Sequence, residues 1–138
     1  MVEHDEQEKR IAKILGRLDV PVNQASALNY LDYLKEHIKL PCRLTGIEDF
    51  PWEEYYVMGP GSKKEYEKLK KKQPSYTDFF TLIRFDNDLD DTNSIWVEVE
   101  RLTDKRKFKL PLADLEATDK DTKNYQLLDD FSVWFTNN

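Results

Sequence analysis

The 138-residue sequence predicts an α+β fold: helices at the N-terminus, a small and mostly antiparallel β-barrel, and a C-terminal helix. Three observations carry this expectation. Apolar residues recur at helical spacing over residues 5–38 and again over 122–135. Between those stretches the apolar period falls to two, in short segments rich in aromatic and β-branched residues. Four or five strands this short curl into a small barrel, and the length suits one domain over residues 1–138.

Residues 5–18 place Ile11, Ile14, Leu15 and Leu18 on one helical face, behind an acidic first turn that suits the helix dipole. Pro21 ends this segment, so residues 1–22 read as an N-terminal helical extension to a body spanning 23–138. Asn23 then caps a second helix whose stripe is Leu28, Leu31, Leu34 and Ile38. Leu40, Cys42 and Leu44 alternate with Pro41, Arg43 and Thr45, which makes an edge-compatible first strand. From Ile47 to Tyr76 the pattern is irregular: an aromatic cluster (Phe50, Trp52, Tyr55, Tyr56), a Gly59-Pro60-Gly61 break and a lysine tract. Helical pieces are expected around Glu53 and within the lysines. Strands follow at Phe79–Phe85, Ile95–Leu102 and Phe108–Leu112, the last two joined through Thr103-Asp104-Lys105. Asp121 or Thr122 caps a final helix in which Tyr125, Leu128, Phe131, Trp134 and Phe135 share a face that docks on the barrel.

The net charge of −6 is uneven. Residues 1–85 hold 14 acidic and 14 basic side chains, whereas residues 86–138 hold 13 acidic and 7 basic ones. Nucleic-acid binding needs the opposite sign, to neutralise phosphates. The one dense basic tract, Lys63 to Lys72, is interrupted by Glu65 and Glu67, contains no arginine, and reads as a solvated helix or loop. No apolar run reaches the roughly 18 residues of a membrane span. The N-terminal residues lack a signal peptide's apolar stretch, and a single cysteine forms no internal disulfide; the expectation is a soluble, cytoplasmic protein without membrane or nucleic-acid partners.

Enzymatic chemistry finds little support. His4 lies in a frayed terminus and His37 near a helix end, neither beside a nucleophile, and Cys42 sits on an apolar strand face as an inert core thiol. Only four glycines occur, none spaced for a phosphate loop. Zinc would need clustered nitrogen or sulfur ligands that the chain lacks.

The carboxylates form the sharper signal because they gather in loops. Asp86-Asn87-Asp88-Leu89-Asp90-Asp91-Thr92-Asn93 joins two strands and offers four carboxylates. Asp114-Leu115-Glu116-Ala117-Thr118-Asp119-Lys120-Asp121 offers four more after the last strand. Hard cations such as Ca²⁺ take six to eight oxygen ligands, and flexible Asp- and Asn-rich loops supply them. Asp86, Asp88 and Asp90 match positions 1, 3 and 5 of an EF-hand, but Asp91 stands where that loop needs glycine and Val97 where it needs glutamate. This is no EF-hand. Two carboxylates about 6 Å apart repel by roughly 3 kcal/mol at an effective dielectric of 20, and by less than about 1 kcal/mol in water. A solvated acidic rim therefore needs no ion, while a partly shielded one does.

Leu110-Pro111-Leu112-Ala113-Asp114-Leu115-Glu116, then Asn124-Tyr125-Gln126-Leu127-Leu128-Asp129-Asp130-Phe131 and Trp134-Phe135, resemble the small calcium-binding proteins first known from cyanobacteria, the CcbP-like family. The Leu40-Pro41 junction and the Asp90-Asp91 loop before Ile95 are also similar, so the resemblance spans roughly residues 28–138. It implies a compact SH3/Sm-like barrel, an acidic surface and Ca²⁺ binding without EF-hands. The Phe50–Tyr76 segment is longer and less acidic than that pattern, and the first 22 residues read as an extra helix.

The resulting expectation is a non-enzymatic bacterial Ca²⁺ buffer or sensor. Its metal ligands come from Asp86, Asp88, Asp90, Asp91, Asp114 and Glu116, with Asp119 and Asp121 in reserve. The alternative is an acidic, metal-independent interaction module, of inhibitor or immunity type. It would steer toward a basic protein through the same acids and anchor through Trp52, Tyr55 and Tyr56.

Overall fold

The computed structural model describes residues 5–138, so His4 lies outside the described residues. Helix α1 (Glu6–Leu15) begins where the Asp5 carboxylate accepts the Glu8 amide. It ends at Gly16, whose φ of 91° is a left-handed turn that a side chain would oppose. Leu18 consequently falls beyond the helix and is exposed, unlike the other members of its expected stripe. Helix α2 (Gln24–His37) starts at a reciprocal cap: Asn23 accepts from the Ser26 amide, and Ser26 Oγ accepts from the Asn23 amide. Its buried side carries Ala27, Tyr30, Leu31 and Leu34, with Ile38 just beyond its end.

Five strands follow: β1 (Arg43–Gly46), β2 (Phe79–Phe85), β3 (Trp96–Arg101), β4 (Lys107–Pro111) and β5 (Leu115–Ala117). They form one sheet of order β4-β3-β2-β1-β5 in which every pairing is antiparallel. Pairing in β1 starts at Arg43, because Pro41 has no amide hydrogen to donate. Leu40 is thereby left outside the strand and 63% exposed, against the expected alternation. Helix α5 (Lys123–Asn137) is capped by Thr122, which accepts the Tyr125 amide.

The chain connecting β4 to β5 forces the sheet to curl. Four inter-strand spacings in a flat sheet would hold these two edge strands about 19 Å apart. Pro111 and Leu115 are joined by only a single 3₁₀ turn (Leu112–Asp114), and four residues reach at most about 14 Å. The Leu112 amide meanwhile still donates to the Ile95 carbonyl. No ladder joins β4 to β5 among the described residues, so the sheet is strongly curled but open, not a hydrogen-bonded barrel. Leu44, Phe80, Leu82, Val97, Val99 and Leu110 point into the core. Helices α2 and α5 supply the rest of it, with Tyr30 stacked on Trp134 at 5.1 Å and edge-on to Phe131 at 5.2 Å. Helix α1 is fastened to α5 by Arg10, which donates through Nε and Nη2 to the buried Asp130 carboxylate (2.8 and 2.9 Å), and by Gln7, which donates to Asp129 and Asp130.

Between β1 and β2 the chain forms α3 (Glu54–Val57) and α4 (Lys63–Lys70), the helical pieces expected around Glu53 and in the lysine tract. Two buried charges hold this segment. The fully buried Glu53 carboxylate accepts from the Phe50 and Tyr76 amides and from the Tyr66 and Ser75 hydroxyls. The Arg101 guanidinium, also buried, donates to the carbonyls of Lys70, Lys71 and Gln73 at the end of α4 and to the carboxylates of Asp78 and Asp104.

Candidate metal site

The loop from Asp86 to Asn93 crosses between the ends of β2 and β3, and Asp90 ties it. One carboxylate oxygen accepts from the Thr92 amide, the Thr92 hydroxyl and the Ser94 amide; the other accepts from the Trp96 indole at 2.7 Å. Burial works against ionisation of Asp90, but the donors Trp96, Thr92 and Ser94 outweigh it and draw its pKa down to about 2. Trp96, at the start of β3, thus anchors the acidic loop.

The other carboxylates of the loop are placed differently. Asp86 continues the β2–β3 ladder through its amide, and its half-buried carboxylate accepts from Lys109 at 3.2 Å. The side-chain carbonyl of Asn87 accepts from Lys35 at 2.7 Å. Asp86, Asn87 and Asp88 line one open groove of about 340 Å³ together with Arg84, Phe85 and Lys109. Arg84 turns toward Glu98 at 2.9 Å. Asp91 is exposed beside this groove's loop.

The second acidic stretch splits across β5. Asp114 closes the 3₁₀ turn, and its backbone carbonyl accepts the Ile47 amide. Its half-buried carboxyl titrates above the usual carboxylate range, through burial first and through the charge of Glu48 second. Among the described residues no cationic side chain pairs with Asp114 or with Glu48. Glu116 pairs across the ladder with Thr45, half-buried between the inward-facing Leu115 and Ala117. Asp119 and Asp121 are exposed in the turn before α5, where the Asp121 amide donates to the Asp119 carboxylate. Glu48 escapes a reading of the sequence alone, because it follows a four-residue strand in an irregular stretch. Only the pairing of Gly46 with Leu115 brings it to Asp114.

The donor chemistry suits a hard cation, since the side chains gathered here offer carboxylate and amide oxygens. The described histidine and the thiol are elsewhere: His37 stacks on Tyr33 at 3.9 Å, and Cys42 is buried. The two acidic stretches do not merge into one cage. The pairing of Trp96 with Pro111 brings the first loop beside the start of the 3₁₀ turn, but that turn then carries Asp114 to the β1–β5 side. Among the described residues no three carboxylate, imidazole or thiol groups cluster closely enough to hold a metal ion.

The sequence profile of a calcium-binding family, CcbP, matches residues 49–135, more than half of the chain. The chain belongs to this CcbP calcium-binding family. The family's match takes in the α3–α4 segment, both acidic stretches and most of α5. Two solved structures share the fold almost end to end. One is a calcium-binding protein in its calcium-binding form, 19% identical with a TM-score of 0.61, covering 99% of this chain and 97% of that one. The other is CcbP of Anabaena, 17% identical with a TM-score of 0.59, covering 98% and 93%. No curated protein matches the sequence. Ca²⁺ is the ion that this family membership brings.

Proposed function

We propose that this protein is a non-enzymatic Ca²⁺ buffer or sensor that takes the ion on its acidic loops, outside any EF-hand. The observation that carries the reading is Asp114: a half-buried carboxyl facing Glu48, raised in pKa, with no cation beside it among the described residues. A bound divalent cation would favour the ionised form of this half-buried carboxyl and offset the charge of the exposed Glu48. Asp114 with Glu48 would contribute to an ion position on the β1–β5 side, and Asp86, Asp88 and Asn87, which line one groove, to one at the β2–β3 loop, each completed by water or backbone oxygens. Asp90 contributes by fixing that loop, because its oxygens already accept four hydrogen bonds. Lys109 donates to Asp86 and Lys35 to Asn87, so an ion at this loop would compete with two ammonium groups for these oxygens. Flexible oxygen donors on loops favour Ca²⁺ over Mg²⁺, which demands tight octahedral geometry. The cytoplasm is the proposed setting, where a lone buried thiol such as Cys42 persists.

Thermal melts of the EDTA-treated protein, then with Ca²⁺ or Mg²⁺, test the reading. Ligand at 100 times its Kd stabilises a fold by about 2.7 kcal/mol. At this size that raises Tm by roughly 5–12 °C. A rise with Ca²⁺ and little with Mg²⁺ is expected; no rise with Ca²⁺ would overturn the proposal. Asp114→Asn and the double variant Asp86→Asn/Asp88→Asn should each weaken Ca²⁺ binding at least about tenfold. Whichever leaves affinity unchanged is removed from the ligand set.

A further inference from the structure

The α3–α4 segment contains none of the acidic residues assigned to the ion, yet two buried charges, Glu53 and Arg101, are spent on holding it in place. What they hold is an exposed apolar turn. Met58 is 81% exposed, Tyr55 57% and Val57 38%, three large apolar side chains within four residues. The turn is well supported from below. The Tyr55 and Tyr56 rings lie against Gly61, where a Cβ would come within 2.5 Å of the Tyr56 ring, and Tyr56 stacks on Tyr66 at 5.5 Å.

Beside this turn, α4 directs Tyr66, Leu69 and Lys70 inward as its half-buried side. Lys64 and Lys68, one turn apart, are exposed on its other side, and Lys71 and Lys72 are exposed in the turn that follows the helix. None of these four has an ion-pair partner among the described residues, whereas Glu65 accepts from Tyr56 and Glu67 lies 4.0 Å from Lys70. In a chain of net charge −6, this segment is locally cationic. Protein interfaces favour arginine and disfavour lysine, but no arginine occurs between Arg43 and Arg84. Hydrated ammonium groups in the same segment as an exposed apolar turn suit a diffuse layer of anionic headgroups.

We propose that this segment docks peripherally on an anionic lipid surface. Tyr55, Val57 and Met58 enter the headgroup–acyl boundary, and the exposed lysines rest on lipid phosphates and carboxylates. No helix among the described residues is long and apolar enough to cross a membrane, so the contact is interfacial; it amends the expectation of no membrane partner. The proposal stands apart from the calcium reading, and its test is run in EDTA.

The full chain is sedimented with phosphatidylcholine vesicles, with and without about 30% phosphatidylserine, at about 0.1 M salt. Binding is expected only with phosphatidylserine and should weaken at about 0.5 M salt. Lys64→Gln/Lys68→Gln should lower the partition coefficient about 25-fold, at roughly fivefold per lysine. Met58→Ser should lower it about tenfold while keeping the salt dependence. Both variants lie on exposed positions, and unchanged urea midpoints will show that they fold. Absence of phosphatidylserine-dependent binding overturns the proposal, as does binding that neither variant weakens. Capture of poly-glutamate as tightly as the vesicles, insensitive to Met58→Ser, would reassign the patch to an acidic protein and overturn the lipid assignment.

Discussion

Glu53→Gln isolates the value of a buried carboxylate that no cation neutralises among the described residues. Its two oxygens receive four donors: the Phe50 and Tyr76 amides at 3.0 and 2.9 Å on one, the Tyr66 and Ser75 hydroxyls at 2.8 and 2.5 Å on the other. Glutamine keeps the volume but turns one oxygen into a donor. The two backbone amides cannot reorient, so the new NH₂ must face the hydroxyls, which can rotate to accept. The loss is then mainly the charge assistance of the four bonds, about 2–3 kcal/mol. Glu53→Ala instead strands two buried backbone donors and opens a cavity, at a cost of about 5 kcal/mol. In urea unfolding at constant m, the order should be wild type, then Gln, then Ala. The Gln variant should melt about 6–12 °C lower than wild type. A neutral or stabilised Glu53→Gln would refute the reasoning, because desolvation of the carboxylate would then exceed what its donors return.

Three further outcomes follow from the same geometry. Asp90 has a depressed pKa of about 2, so its contribution is complete above the unfolded value near 3.8 and disappears as pH falls through about 2. Urea midpoints measured from pH 5 to pH 2 should therefore fall less steeply for Asp90→Asn than for wild type; equal slopes would exclude Asp90 as an acid-sensitive tie. Burial pushes the Cys42 thiol up to about 11, against a weaker opposing effect of Asn124. Its reaction with a disulfide reagent at about pH 8 should be at least a hundredfold slower in the folded protein than in urea, and similar rates would place the thiol at the surface. Arg101→Met removes the guanidinium from the Asp78 and Asp104 carboxylates, which keep only the Ser75 and Arg106 donors, and leaves three carbonyls at the end of α4 without its hydrogen bonds. It should cost about 3–5 kcal/mol, and a loss below about 1 kcal/mol would mean that α4 is held in some other way.

Much of the fold was legible because its signals are local. The Asn23 and Thr122 caps, the seven-residue strand Phe79–Phe85 and the hairpin after β3 each depend on residues within three or four positions of one another. The expected closed barrel was less legible, since closure requires a ladder between β4 and β5, and only the three-dimensional course of the 3₁₀ turn shows how those edges meet. The site divides in the same way. The acidic loops are visible as composition, but composition does not distinguish Asp90, which ties its own loop, from Asp86, which faces Lys109.

By itself, the sequence determined the helices, four of the five strands, the acidic stretches and the family resemblance, because caps, periodicity and motifs act over a few neighbouring residues; the three-residue β5, read as part of an acidic loop, is a strand only through its pairing with β1. The tertiary structure alone decided that Glu48 presses on Asp114, that Arg10 fastens α1 to Asp130, and that Arg101 closes the end of α4. Those pairings depend on strand register and helix docking. These bring together side chains distant along the chain and set whether a charge lies in water or in a shielded place, where its energy is several times larger.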